Sequence, residues 1–166
     1  MNEPRCPIYG LLDNIRSAHN VGSMFRTADA VGMSGLFLCG ITATPPRADL
    51  EKTALGAQRS VPWDYWPSTE DAVRSLRERG FTLIALECAD GAVPYDEPLG
   101  QHPICFVVGN EVDGVSPAVQ ALCHRTAMIP MHGAKESLNV AVSFGVMAYA
   151  MRAGWDGRAA QSRRWE

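Results

Sequence analysis

No run of apolar residues approaches the roughly 18 to 20 needed to cross a bilayer, so an ordinary helical membrane protein is excluded. The first ten residues, MNEPRCPIYG, lack the charged start and apolar middle of a secretory leader. Five cysteines include no CxxC pair, and four histidines include no HxxxH spacing. Neither a disulfide framework nor a metal site is therefore expected. Cys39, Cys88 and Cys105 lie in apolar runs, where buried thiols are common. No GxGxxG follows the first apolar run, which argues against a dinucleotide site of the usual kind. A net charge of −3, from 15 basic and 18 acidic residues, gives no global attraction to nucleic acid. What these absences leave is a cytoplasmic globular chain whose 166 residues suffice for one domain with a sizeable core.

Charge is uneven along the chain. Residues 84–151 hold two basic and seven acidic side chains. Arg5, Arg16, Arg26, Arg47, Lys52 and Arg59, with Arg158, Arg163 and Arg164 as candidate additions, could gather into a basic patch. Scattered solvated charge fits this composition equally well.

Short runs rich in Val, Ile, Leu and Phe occur at Ile8–Leu12, Gly35–Cys39, Phe81–Leu86, Ile104–Val108 and Ala127–Ile129. Between them the pattern turns helical. Val21, Met24, Phe25, Ala28 and Val31 recur at helical spacing, and Asn20 is positioned to cap that segment. Thr69–Arg79 carries Glu70 and Asp71 in its first turn and stops at Gly80. Ser116-Pro117 is a cap followed by proline at the first helical position. Strands alternating with helices predict an α/β fold: a parallel-rich sheet flanked by helices on both faces. Ile41–Pro67 looks least regular, with four prolines, a helical Leu50–Ala57 and the aromatics Trp63, Tyr65 and Trp66. A domain over residues 1–154 followed by a polar tail, 155–166, is expected.

The densest chemistry lies in Ile129–Met151, IPMHGAKESLNVAVSFGVMAYAM. A strand end runs through a polar loop into a helix that is apolar nearly all round and so should be buried. Ser137 and Asn139 stand at its mouth, where polar groups need partners. Two other strand ends are unusual, Leu86-Glu87-Cys88 and Gly109-Asn110-Glu111, the latter followed by Gly114 and Ser116. Gly109 and Gly114 allow sharp turns and close approach to a ligand, although ordinary glycine turns would look the same. Ligands of open α/β sheets sit beyond such carboxyl ends. In His19–Ala30, Gly22, Arg26 and Asp29 share the face opposite the apolar stripe. Arg26 could simply pair with Asp29 at i,i+3, or offer its planar fork of donors to a phosphate.

These residues carry a resemblance. NVGSMFRTA (Asn20–Ala28), FVVGNEVDGVS (Phe106–Ser116) and IPMHGAKESLNVAVS (Ile129–Ser143) resemble, in order, the three signature motifs of the SpoU/TrmH family. Those proteins are SPOUT-class RNA ribose 2′-O-methyltransferases that use S-adenosylmethionine. The resemblance implies a C-terminal deep trefoil knot, which sequence reasoning would have rejected because knots are almost absent from folds. It implies that Leu86, Glu87, Gly109, Asn110, Ile129, Met131, Ser137 and Leu138 surround the cofactor. It further implies a homodimer in which Arg26 acts near the partner's cofactor, with the Val140–Met151 helix at the interface. Arg26, Asn20, Glu111, Ser137 and Asn139 are the catalytic set it implies. Arg26 grips the neighbouring phosphate, Asn20 and Glu111 hold Arg26 and its loop, and Ser137 and Asn139 orient cofactor and ribose. The RNA substrate is expected to be tRNA rather than rRNA. Three alternatives are methylation of a base atom, a non-catalytic module binding cofactor and RNA, and a nucleotide-binding domain unrelated to RNA. Trp63, Tyr65 and Trp66 could stack on an exposed base or pack over a sheet edge.

Overall fold

The computed structural model describes residues 3–162, and the side chains of residues 158–162 lie outside the description. Arg158, Arg163 and Arg164 of the expected basic patch therefore fall outside the described side chains.

Five of the predicted strands are present: β1 (Cys6–Asp13), β2 (Met33–Cys39), β4 (Thr82–Leu86), β6 (Ile104–Val108) and β7 (Arg125–Met128). Two more, β3 (Trp63–Trp66) and β5 (Val93–Pro94), were not evident from patterning. Both lie at the edges of one seven-stranded sheet of order β3-β2-β1-β6-β4-β7-β5, in which every pairing is parallel. An edge strand is buried less and so lacks the apolar signature of a central one. Central β6 shows that signature fully, with all five residues buried.

Helices cover both faces, and the alternation of strand residues creates two cores. On one side α1 (Ala18–Val31), α2 (Ala48–Ala54), α3 (Ala57–Ser60) and α6 (Val140–Ser162) pack over Ile8, Leu12, Leu36, Leu38, Ile84 and Phe106. On the other, α4 (Thr69–Glu78) and α5 (Pro117–Leu122) cover Leu11, Phe37, Leu83, Ala85 and Val107. Leu55, at a left-handed φ of 51°, ends α2 before Gly56, so the expected Leu50–Ala57 helix stops early. The segment expected as a polar tail, 155–166, is helical as far as Ser162, where it continues α6, and residues 163–166 lie outside the described residues. Arg152 bonds Asp156 one turn on at 2.9 Å, and Trp155 packs against the core.

Because every pairing is parallel, all carboxyl ends share one edge of the sheet. β4 lies between β6 and β7. The loops leaving these three adjacent strands, and the turn after β1, consequently converge at one place.

Candidate active site

That place is a cavity of about 320 Å³. All eight residues expected to surround a cofactor line it: Leu86, Glu87, Gly109, Asn110, Ile129, Met131, Ser137 and Leu138. Glu111 and Asn139 line it too, whereas Asn20 and Arg26 do not. Cys88 and Gly114, noted at the strand ends, line it as well, and patterning missed Val108, Val112, Asp113, Val140 and Ser143. Cys88 is exposed, unlike buried Cys39 and Cys105, because β4 ends two residues before it.

The loops are held by backbone groups. Glu87 at the end of β4 accepts from the Val115 N–H at 2.9 Å and the Cys88 N–H at 3.1 Å, tying β4 to the loop after β6. Asn110 spends its side chain on the same loop. Its Oδ1 accepts from Val112 at 2.9 Å and Asp113 at 3.2 Å, and its Nδ2 donates to the Asn14 carbonyl at 2.8 Å. Gly109 lies directly against the backbone of Gly114 and Val115, so a Cβ there would enter main-chain atoms. Gly114 stands at φ +67° beside the Glu87 carboxylate.

A second network joins the three conspicuous segments. Glu111 accepts from the N–H groups of Arg16 at 2.8 Å and Ser17 at 3.0 Å, and from Asn20 Nδ2 at 3.2 Å. Asn20 Oδ1 in turn accepts from Asn139 Nδ2 at 3.3 Å. Asn139 Oδ1 caps α6 by accepting from Ala141 and Val142. Ser17, not Asn20 as expected, caps α1 and accepts from the Asn20 N–H. Asn20 sits inside the first turn, and Glu111 supplies from another loop the acceptor that a capping box takes from its own helix.

Partial burial works to raise the pKa of Glu111, but hydrogen bonds from Arg16, Ser17 and Asn20 outweigh it and hold the carboxyl below its ordinary value of 4.5. A depressed folded-state pKa adds stability above the unfolded value and loses it as pH falls through the folded one. Comparing thermal denaturation of the native chain with Glu111→Gln should therefore show a constant deficit above about pH 5 that shrinks at more acid pH. A deficit independent of pH would show that the carboxylate charge is not what those donors hold.

Arg26 is exposed on α1 and has no hydrogen bond or ion pair among the described residues. The alternative i,i+3 pairing with Asp29 is not formed; Asp29 Oδ1 meets Arg5 at 3.4 Å and accepts from the Ser60 hydroxyl at 2.7 Å. No hydrogen bond from Asn20 or Glu111 reaches it, contrary to expectation; they fix the start of its helix instead. Gly22, expected on the polar face, is buried against α2, where a Cβ would strike Thr53 and the Leu50 carbonyl. The basic patch shrinks as well. Arg5 bonds Asp29 and two carbonyls, and Arg47 bonds Asp49 at 2.7 Å.

Chemically, the cavity combines an apolar wall with three acidic residues, Glu87, Glu111 and Asp113, and among the described residues no Lys, Arg or His lines it. Such a lining suits a ligand bearing positive charge and repels a polyphosphate. Its size is that of a small-molecule site.

Comparison with known proteins gives a consistent result. The model of the SpoU rRNA methylase family matches residues 7–149. A tRNA (guanosine(18)-2′-O)-methyltransferase of Aquifex aeolicus (strain VF5) is 34% identical over 140 residues, 82% of this chain and 64% of that protein. An AdoMet-bound rRNA methyltransferase from Sinorhizobium meliloti superposes with a TM-score of 0.83 and 32% identity, over 89% of this chain and 56% of that one. A structure described as giving insight into 2-OH methylation of C/U34 on tRNA superposes with a TM-score of 0.78 and 28% identity. It covers 89% of this chain and 97% of its own. The chain spans between about half and two thirds of the length of the first curated relatives it matches.

Proposed function

Because this chain belongs to the SpoU rRNA methylase family, we propose that it transfers a methyl group from S-adenosylmethionine to a ribose 2′-hydroxyl of RNA. The observation that carries this reading is the convergence of three distant segments on one acidic cavity, to whose rim Asn20 ties α1, the helix that carries the exposed Arg26. The cavity lining fits the cofactor: carboxylates suit a sulfonium and an ammonium, and the apolar wall suits an adenine ring. Leu86, Ile129, Met131 and Leu138 would supply that wall, and Glu87, Gly109, Asn110 and Ser137 the polar edge. When bound, S-adenosylmethionine supplies a methyl carbon activated by its attachment to a cationic sulfur.

The protein's own work is then positioning the acceptor and stabilising its charge. Arg26 holds the phosphate beside the acceptor ribose and stabilises the oxygen as it loses its proton to phosphate or water, since a guanidinium does not act as a base at neutral pH. Ser137 and Asn139 orient cofactor and ribose. Asn20 and Glu111 set the height of α1 and thereby of Arg26.

Arg26 is best supplied to the cavity of a second copy. The supporting feature is α6, apolar nearly all round yet not wholly covered. Phe144, Met147, Ala148 and Met151 are buried, while Val142 and Tyr149, on one face at i,i+7, are 51% and 55% exposed. Gly145 lies between them, where a Cβ would come into contact with Thr27, the neighbour of Arg26. A homodimer packed through this face would bury both residues and bring each Arg26 towards its partner. Tyr149→Glu should give a monomer by light scattering and lose at least about tenfold in methyl transfer. An active monomer would refute the shared site.

Four further readings belong to the proposal. The trefoil knot draws support from β4 lying between β6 and β7 and from the tight passage of Gly109 against Gly114 and Val115. The reach of the family match supports one catalytic domain over 1–154. A cytoplasmic location draws support from five free cysteines, and among the described residues no helix is long and apolar enough to cross a membrane. tRNA is favoured over rRNA by the 97% coverage of the chain described for C/U34 methylation on tRNA. The test is to incubate purified protein with labelled S-adenosylmethionine and either bulk tRNA or ribosomal RNA, then identify the modified nucleoside by mass spectrometry. Label in a base, or in neither RNA, would overturn the reading.

A further inference from the structure

The aromatics near residue 65 divide in the structure. In a parallel pair, opposed residues point to the same side of the sheet. Trp63 and Tyr65 oppose Leu36 and Leu38, which belong to the core beneath α1 and α6. Trp66 opposes Cys39 and packs into the other core. At the sheet edge the first core is only partly covered by the described residues. Trp63 and Tyr65 stay 38% and 43% exposed, two residues apart on one strand face. Strand rise separates them by about 6.6 Å. Beside them Ile41 is 66% exposed, and the Tyr65 hydroxyl donates to the Gly40 carbonyl at 2.9 Å, which fixes the ring.

This edge is continuous with the cavity. The Ile41 N–H donates to Asn14 Oδ1 at 3.0 Å, and the Asn14 carbonyl accepts from Asn110, which lines the cavity. Arg16 lies two residues beyond Asn14. Its N–H is held by Glu111, and its exposed side chain has no ion pair among the described residues. The rim therefore runs from acceptor site to cation to apolar shelf to two half-exposed aromatic rings, of which that of Tyr65 is held by its hydroxyl.

We propose that this rim is the seat of the single-stranded RNA flanking the acceptor nucleotide. Tyr65 and Trp63 stack successive unpaired bases, Ile41 supports the turn of the strand, and Arg16 contacts a phosphate. Charge and shape favour RNA over a protein partner. The cation stands between the shelf and the reaction site, where a phosphodiester must pass. Two flat rings at strand spacing offer π-faces to any base, which is how sequence-tolerant single-strand binding is achieved.

The inference rests on the functional reading above, and the experiment separates the two. Binding of fluorescein-labelled bulk tRNA and of a ten-nucleotide oligouridylate is measured by anisotropy for the full chain. The variants are the double substitution Trp63→Ala/Tyr65→Ala, the ring-preserving Trp63→Phe/Tyr65→Phe, and Arg16→Ala. S-adenosylmethionine affinity and melting temperature are read in parallel. Loss of two stacked bases should weaken RNA binding of the alanine pair by at least about tenfold. The phenylalanine pair should stay within about threefold of the native chain, and Arg16→Ala should bind less tightly with a shallower salt dependence. Cofactor affinity should be unchanged throughout. Native protein that binds RNA while the alanine pair binds equally well overturns the inference alone, and so does an equal loss in the phenylalanine pair. Native protein that binds neither RNA nor cofactor overturns the functional reading and the inference with it.

Discussion

Arg26→Ala should reduce methyl transfer by about 100- to 1,000-fold or more, the scale set by removing one preorganised donor to a developing oxyanion. Cofactor affinity by calorimetry should stay within about twofold, because Arg26 does not line the cavity. Stability should barely change. The side chain is exposed, bonds to nothing among the described residues and fills no core space, and substitutions at such positions usually fall within about 0.5 kcal/mol. This combination discriminates between roles: a structural arginine would lower the melting temperature, and a cofactor-binding one would weaken affinity. Arg26→Lys keeps the charge but loses the planar fork, and should recover only part of the rate. Unchanged turnover in Arg26→Ala would remove this residue from the mechanism.

Gly109→Ala should act in the opposite way, weakening cofactor binding and lowering stability together. The added methyl meets the main chain of Gly114 and Val115, which cannot rotate away like a side chain. Overpacking of this kind costs about 1–3 kcal/mol, occasionally more. For a chain of this size that corresponds to a melting temperature lower by roughly 2–12 °C. The loop that must move also carries Asn110, Glu111 and Asp113 and is tied to Glu87 through Val115. Affinity for S-adenosylmethionine should therefore fall at least about tenfold. A variant with native melting and native affinity would show that this close passage does not hold the site together.

The two substitutions sit in motifs that look alike on paper, a short conspicuous residue beside an apolar run. Their effects diverge because one residue is an unsatisfied donor facing outward and the other is a spacer between two backbones. Burial and contact decide which is which.

Much of the molecule was legible before any coordinates. Ile104–Val108 reads as a buried strand and is one, since five consecutive apolar residues bounded by glycine have few other solutions. The eight cavity residues were named by the resemblance to the SpoU/TrmH motifs; the strand ends agree with them because a parallel sheet must place the carboxyl ends of its strands along one edge. Edge strands β3 and β5 escaped notice because partial exposure erases the apolar pattern. The break at Leu55, which ends α2, also escaped notice, being a matter of one φ angle.

Sequence by itself determined the alternation of strand and helix, the apolar core and the residues destined for the strand ends, because periodicity and hydrophobicity are local and additive. Only the tertiary structure decided that Glu111 anchors the start of α1, that Asp29 bonds Arg5 and Ser60 rather than Arg26, and that Trp66 turns inward while Trp63 and Tyr65 face out. Each of those outcomes depends on competition for a partner or on the register of a neighbouring strand, and both are settled between segments far apart in the chain.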